Sequence, residues 1–205
     1  LPSAGRVRLR LSARGESEEE LIALVDRLEK EMVDRIGEYV YGHDDDTLEG
    51  IVGDLLRRKG KTLSTAESCT GGMIAHLITS VPGASDYFEG SVVSYANEVK
   101  ENVLKVKKET LERHGAVSRE TVEEMATGAK ELLRTDYAIA VSGIAGPTGG
   151  TPEKPIGTVW IAVATPSRIL SEKHQFAGDR KGNIERSSYT ALNLLRKILI
   201  SESNT

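Results

Sequence analysis

Gly60-Lys61-Thr62-Leu63-Ser64-Thr65-Ala66-Glu67-Ser68-Cys69-Thr70-Gly71-Gly72 joins a short β-like run, residues 60–63, to an apolar helix-like segment, Met73-Ile74-Ala75-His76-Leu77-Ile78. Residues 64–72 therefore read as a strand-to-helix turn. Two glycines let the backbone approach a ligand closely, and the free N–H groups of a helix start can hold an anion or a developing oxyanion. Ser68, Cys69 and Thr70 stand in that mouth. In the alternative reading, Ser68 or Thr70 only caps the helix. Ser-Cys-Thr-Gly-Gly matches no general catalytic signature, so this stretch alone leaves both readings open.

Downstream, a helix over 71–80 is stopped by Val81-Pro82-Gly83, and residues 89–95 read as a strand ending at Ser94 and Tyr95. Asn97 is placed to cap a helix that carries Lys100 in its first turns, against the helix dipole; such local inconsistencies are expected at functional sites. Ser118 starts a further helix. Residues 136–142 form a near-continuous apolar strand of the kind buried on both faces of a sheet. It ends in Gly143-Ile144-Ala145-Gly146-Pro147-Thr148-Gly149-Gly150, and residues 157–164 and 168–176 follow as a hairpin. A last helix runs over 180–200. From residue 47 the alternation predicts a mixed-sheet α/β sandwich with helices on both faces.

Upstream, Leu48, Ile51, Val52, Leu55 and Leu56 give an amphipathic helix ended by Gly60. Residues 6–13 alternate strictly and predict a half-buried strand, with Arg6, Arg8 and Arg10 on its solvated face. Ser17 and Glu20 form a capping box before a helix reaching Ile36, and residues 38–41 read as a second strand, so residues 1–46 make a small β-α-β unit ahead of a domain over 47–205. His43-Asp44-Asp45-Asp46 reads as a solvated linker, since consecutive residues rarely converge on one metal ion and the EF-hand spacing is missing. No metal is expected.

With 205 residues, 39% apolar and 28% charged, the chain is an ordinary globular protein in composition. A formal charge of -4 argues against a nucleic-acid or anionic-membrane surface, and no apolar run is long enough to span a bilayer. One cysteine suggests a reducing cytoplasm. A start at Leu1 without a signal-peptide pattern suggests a fragment of a longer protein.

Ligands collect at the carboxyl ends of strands in open α/β sheets, and three strands here end in polar or Gly-rich mouths, at Ser68, at Tyr95 and at Gly143–Gly150. The glycine loop is not a P-loop, because Thr151-Pro152 follows it. The four histidines lack a carboxylate at useful spacing, so no Ser-His-Asp triad is predicted. Lys100 is the better base for Ser68: enclosure and a helix N-terminus both lower the pKa of an amine. Tyr95 can relay a proton or orient the pair. Cys69 competes as nucleophile, or fills space as a small buried thiol.

Residues 66–72, 94–100, 143–150, Gly157-Thr158-Val159 and Gly178-Asp179-Arg180 together resemble the CinA family, in its nicotinamide-nucleotide amidase domain, over about residues 47–200. Residues 6–46 resemble the KH-like segment that precedes it; without a Gly-x-x-Gly loop, RNA binding is not carried over. The resemblance implies hydrolysis of nicotinamide mononucleotide to nicotinate mononucleotide and ammonia, with no cofactor and with the family's N-terminal nucleotide-pyrophosphatase domain missing from this chain. It also implies a homodimer, Ser68 as nucleophile, and Tyr95 and Lys100 as supporting catalytic residues. The N–H groups near Thr70, Gly71 and Gly72 would hold the oxyanion, while Gly143, Gly146, Pro147, Thr148, Gly149, Gly150 and Arg180 would hold phosphate and ribose. Where a second basic residue is expected after Arg180, the chain has Ile184, with Arg186 two positions later. The competing reading is a catalytically idle nucleotide-binding module.

Overall fold

In the computed structural model, which describes residues 2–3 and 5–202, a five-stranded sheet forms the centre. Strands β1 (Pro2–Ser3) and β2 (Arg6–Val7) form a separate two-stranded pair; β3 (Leu63–Glu67), β4 (Phe88–Val93), β5 (Tyr137–Gly143), β6 (Thr158–Ala164) and β7 (Ile169–Gln175) make the sheet, in the order β4-β3-β5-β6-β7. The first three of that order run parallel, and β6 and β7 are antiparallel additions. The helices are α1 (Glu18–Ile36), α2 (Leu48–Lys59), α3 (Met73–Thr79), α4 (Asn97–Asn102), α5 (Lys108–His114), α6 (Arg119–Leu133) and α7 (Arg180–Ser201). Among the described residues no helix is long and apolar enough to cross a membrane.

Alternation along β5 sets the two layers. Tyr137, Ile139 and Val141 point to the face covered by α2, α3 and α7, whereas Ala138 and Ala140 point to the face covered by α6. Large residues on the first face are each worth about 1.5–3 kcal/mol when fully buried, as Ile139 is. Alanines on the second face let α6 lie close, and at Gly128 an added Cβ would stand 1.9 Å from the Leu104 carbonyl oxygen. Gly60 closes α2 in the left-handed conformation, as the sequence predicts.

Strand β3 is more polar than the sequence reading allowed. The strand lies over residues 63–67, not 60–63, so what read as the start of the turn is sheet. Ser64, Thr65 and Glu67 are fully buried there because each finds a partner. Ser64 Oγ meets Thr135 Oγ1 at 2.8 Å, Thr65 Oγ1 donates to Ser91 Oγ at 2.7 Å, and Glu67 turns into the neighbouring helix start. At the other strand end Asp136 ties β3 to β5, accepting from Lys61 Nζ, the Thr62 N–H and Thr62 Oγ1.

The N-terminal segment departs further from expectation. Only Arg6–Val7 of the predicted strand over 6–13 is strand, and Val7, Leu9 and Leu11 stay exposed; the predicted strand at 38–41 is a 3-10 turn over Gly37–Tyr39. An alternating sequence becomes a strand only when a neighbour takes its ladder hydrogen bonds, and among the described residues only β1 does so, over two positions. Helix α1 is capped by Ser17 as predicted but buries no residue. Contacts with the larger unit include Arg196 of α7, whose guanidinium donates to the carbonyls of Glu38 and Val40, Lys197 beside Glu38 and Tyr39, and Tyr41 against the core.

Candidate active site

The parallel pairing of β4, β3 and β5 puts their carboxyl ends side by side, with Glu67 opposite Val93 and Val141. The ladder runs one residue past the strands: Ser68 N–H donates to Val141 O at 3.0 Å and Ser94 N–H to Glu67 O at 2.8 Å. From α4, Lys100 reaches back under this junction. Its Nζ lies 3.2 Å from Ser68 Oγ, 2.6 Å from Ser94 O and 3.2 Å from Tyr95 O. Lys100 is 1% exposed and Ser68 9%. Burial holds the amine below the usual lysine range, against the nearby Cys69 and Glu98, which raise it.

The bonding count around Lys100 matters chemically. A neutral amine has two N–H donors and one lone pair. In that neutral form Lys100 gives its donors to the two backbone carbonyls and keeps the lone pair for the Ser68 hydroxyl proton; as an ammonium it donates to Ser68 Oγ as well. Asn97 is not the cap expected; Ala96 occupies that position with no side-chain bond, and Asn97 is the first helical residue.

The turn after Ser68 differs from the sequence expectation in its donors. Gly71 (φ 63) and Gly72 (φ 99) adopt the left-handed backbone that makes the turn possible. Their N–H groups are already used, Gly71 for Ser68 O at 3.1 Å and Gly72 for Glu67 Oε2 at 3.0 Å. Glu67 also accepts from the N–H groups of Ile74 (3.0 Å) and Ala75 (2.8 Å). A carboxylate of the chain thus fills the start of α3. The N–H groups of Cys69 and Thr70 are the ones in this turn without a carbonyl or carboxylate partner among the described residues. Thr70 Oγ1 and Ser94 Oγ are buried and likewise unpartnered.

Beside this junction a groove of about 900 Å³ runs between α3 and the start of α7, bordered by Thr70 to Met73, His76, Pro147 and Asp179 to Lys181, with Ile184 and Glu185 beyond. Ser68 and Lys100 lie outside its lining, and Thr70, two residues after Ser68, borders it. Arg180 donates to Gly146 O at 2.9 Å and to the Tyr95 hydroxyl at 3.1 Å. Tyr95 is 63% exposed, and its hydroxyl is paired with Arg180, not with Ser68 or Lys100; only its carbonyl serves the lysine.

Of the predicted binding residues, Thr70, Gly71, Gly72, Pro147 and Arg180 border the groove. Gly146 contributes its carbonyl to Arg180, and Thr148, Gly149 and Gly150 are exposed outside the lining. Gly143 serves packing: a Cβ there would meet Val159 Cγ2 at 2.7 Å, Thr158 O at 2.9 Å and Cys69 Sγ at 3.1 Å. Cys69 itself is buried, and burial pushes its thiol up to about 12, which removes it as a thiolate nucleophile. Arg186 turns to Ala177 O and does not border the groove, whereas Lys181 does.

Three histidines do have carboxylate partners, His43 with Glu29, His114 with Glu120 and His174 with Glu172, contrary to the sequence reading; none contacts Ser68. The fourth, His76, borders the groove. Sequence reasoning missed Glu67 and Asn183. Asn183 is 1% exposed and donates to Ala145 O and Gly178 O, fastening the glycine loop to α7. A buried polar side chain has no periodicity signature; the sequence signal for Glu67 was its place just before the turn.

Fold and site define the class, an α/β protein whose parallel strand ends hold a serine in contact with a buried lysine. The chain belongs to the CinA family: residues 45–199 match the CinA C-terminal domain and residues 1–42 the damage-inducible protein CinA KH domain. A CinA-like protein of Cytophaga hutchinsonii is 48% identical over 199 residues, 97% of this chain and 48% of that protein. One from Thermotoga maritima is 47% identical over 193 residues, 94% of this chain and 46% of its own length. The chain therefore spans about half the length of the curated relatives it matches. Among solved structures, a CinA superfamily protein of Klebsiella pneumoniae superposes with a TM-score of 0.73 at 38% identity, covering 75% of this chain and 96% of that one. One from Escherichia coli gives 0.70 at 32% identity, covering 80% and 98%.

Proposed function

We propose that this chain is an amidohydrolase that converts nicotinamide mononucleotide to nicotinate mononucleotide and ammonia. The observation that carries it is the 3.2 Å contact of Lys100 Nζ with Ser68 Oγ, on a buried amine whose other hydrogen-bonding capacity is taken by two carbonyls. Ser68 Oγ attacks the carboxamide carbon while Lys100 takes the hydroxyl proton. The N–H groups of Cys69 and Thr70 stabilise the oxyanion. Lys100 returns the proton to the departing nitrogen, which leaves as ammonia, and a water activated by the neutral lysine releases the acid from the serine ester.

The choice of nucleotide comes from the family resemblance. The groove supports a ligand with a carboxamide end inside Thr70 and an anionic end at Arg180 and Lys181. The phosphate falls on the α7 side because Glu67 occupies the donors at the start of α3. Tyr95 contributes by steadying Arg180.

Ammonia release from nicotinamide mononucleotide by the purified chain tests this, with Ser68→Ala, Lys100→Ala and Cys69→Ala beside it. Release should survive Cys69→Ala and vanish in the other two. A folded chain that binds the nucleotide without releasing ammonia would instead be a binding module.

A further inference from the structure

We infer that Glu67 is a positioning residue for the nucleophile, an inference that rests on Ser68 being one. Glu67 is fully buried in β3, directly before Ser68. Its two carboxylate oxygens receive three backbone N–H groups: Gly72 and Ile74 go to Oε2, Ala75 to Oε1. Thr65 Oγ1 lies 3.4 Å from Oε1 on the same strand. The carboxylate therefore ties the end of β3 to the far side of the turn, and residues 68–71 are spanned by a side chain as well as by the backbone.

Without that tie, two left-handed glycines in succession would leave the turn free to reorient, since glycine populates both signs of φ about equally. With it, Gly72, Ile74 and Ala75 are committed, and the Cys69 and Thr70 N–H groups are left to face the reacting atom. Ser68 is then held where Lys100 can reach it. A buried carboxylate at this place also discourages an anionic substrate group from entering at α3, so a single residue both fixes the nucleophile and orients the ligand. The side chain acts through the backbone and touches neither Ser68 Oγ nor Lys100 Nζ in the structure.

Glu67→Gln tests this, because glutamine keeps the size but presents an N–H group to one of the backbone donors. Two readouts are taken on the full chain: the rate at which an aryl sulfonyl fluoride modifies Ser68, followed by intact mass with Ser68→Ala as blank, and kcat and KM for nicotinamide mononucleotide. Glu49→Gln, which alters another buried carboxylate away from the site, reports generic destabilisation. We expect Glu67→Gln to slow both modification and kcat at least tenfold, with KM within about twofold and Glu49→Gln near wild type. Unchanged modification, or a rise in KM alone, would overturn the proposal.

If Glu67→Gln does not fold, hydrogen exchange in the wild-type chain decides: Gly72, Ile74 and Ala75 should be protected as a group, and exchange at open-loop rates overturns the inference. A wild-type chain modified at Ser68 yet inactive on the nucleotide would sink the amidase reading and leave Glu67 to be judged on modification alone. Failure of both in the wild type overturns both.

Discussion

Gly143→Ala separates a packing role for the glycine loop from a binding role. The resemblance places Gly143 among the nucleotide contacts, whereas the structure puts its α-hydrogens against β6 and Cys69. An added Cβ would be 2.7 Å from Val159 Cγ2, where carbon pairs normally rest at about 3.5–4.0 Å. It would also be 2.9 Å from Thr158 O, a backbone atom that cannot rotate away. Overpacking of this sort costs about 1–3 kcal/mol. The entropy that alanine removes from the unfolded chain offsets about 0.4–1 kcal/mol. We expect a net loss of about 1–2 kcal/mol, which in a chain this size lowers Tm by about 2–8 °C.

Urea and thermal unfolding of Gly143→Ala, Val159→Ala and the double variant measure it. Since Val159 Cγ2 is the nearest atom, the double variant should be less destabilised than the sum of the singles by at least about 0.5 kcal/mol. A Gly143→Ala protein as stable as wild type, with nucleotide binding lost, would refute the packing reading. Full additivity would show that the valine contact is not where the strain arises.

Activity should rise with pH through a group below the usual lysine range, because burial favours the neutral Lys100 that the mechanism requires; a profile that falls over the same range would exclude the lysine as base. Lys100→Arg, which stays charged, should lose about 10²–10⁴ in kcat, read in the same assay. Native Cys69 should resist thiol reagents at neutral pH and react only in denaturant, as a buried thiol pushed up to about 12 must; fast labelling of the folded chain would contradict its burial. Gly128→Ala should destabilise by more than about 1 kcal/mol despite the better helix propensity of alanine, because the Leu104 backbone stands 1.9 Å from the new Cβ; unfolding curves that match wild type would refute the close approach.

Some parts of the molecule were legible because local physics fixes them. Ser17 and Ser118 accept from the backbone as N-caps wherever they stand, and Gly60 ends α2 by its φ. The apolar run over 136–142 had no stable place other than a strand covered on both sides, which is β5. The alternating run over 6–13 shows the opposite limit, since pattern supplies a face but not the neighbour that a ladder needs.

From sequence alone came the order of strands and helices after residue 47, the three polar strand ends, and the candidates Ser68, Lys100 and Arg180. Tertiary structure alone decided that those ends are neighbours, that Lys100 reaches Ser68 while Tyr95 turns to Arg180, that Gly143 packs, and that Glu67 fills a helix start. The physical reason is range. Caps, glycines and hydrophobic periodicity act within a few residues, whereas a lysine loses its water, and a carboxylate whose three donors lie only five to eight residues along the chain becomes buried with them, only after segments distant in the chain have closed around them.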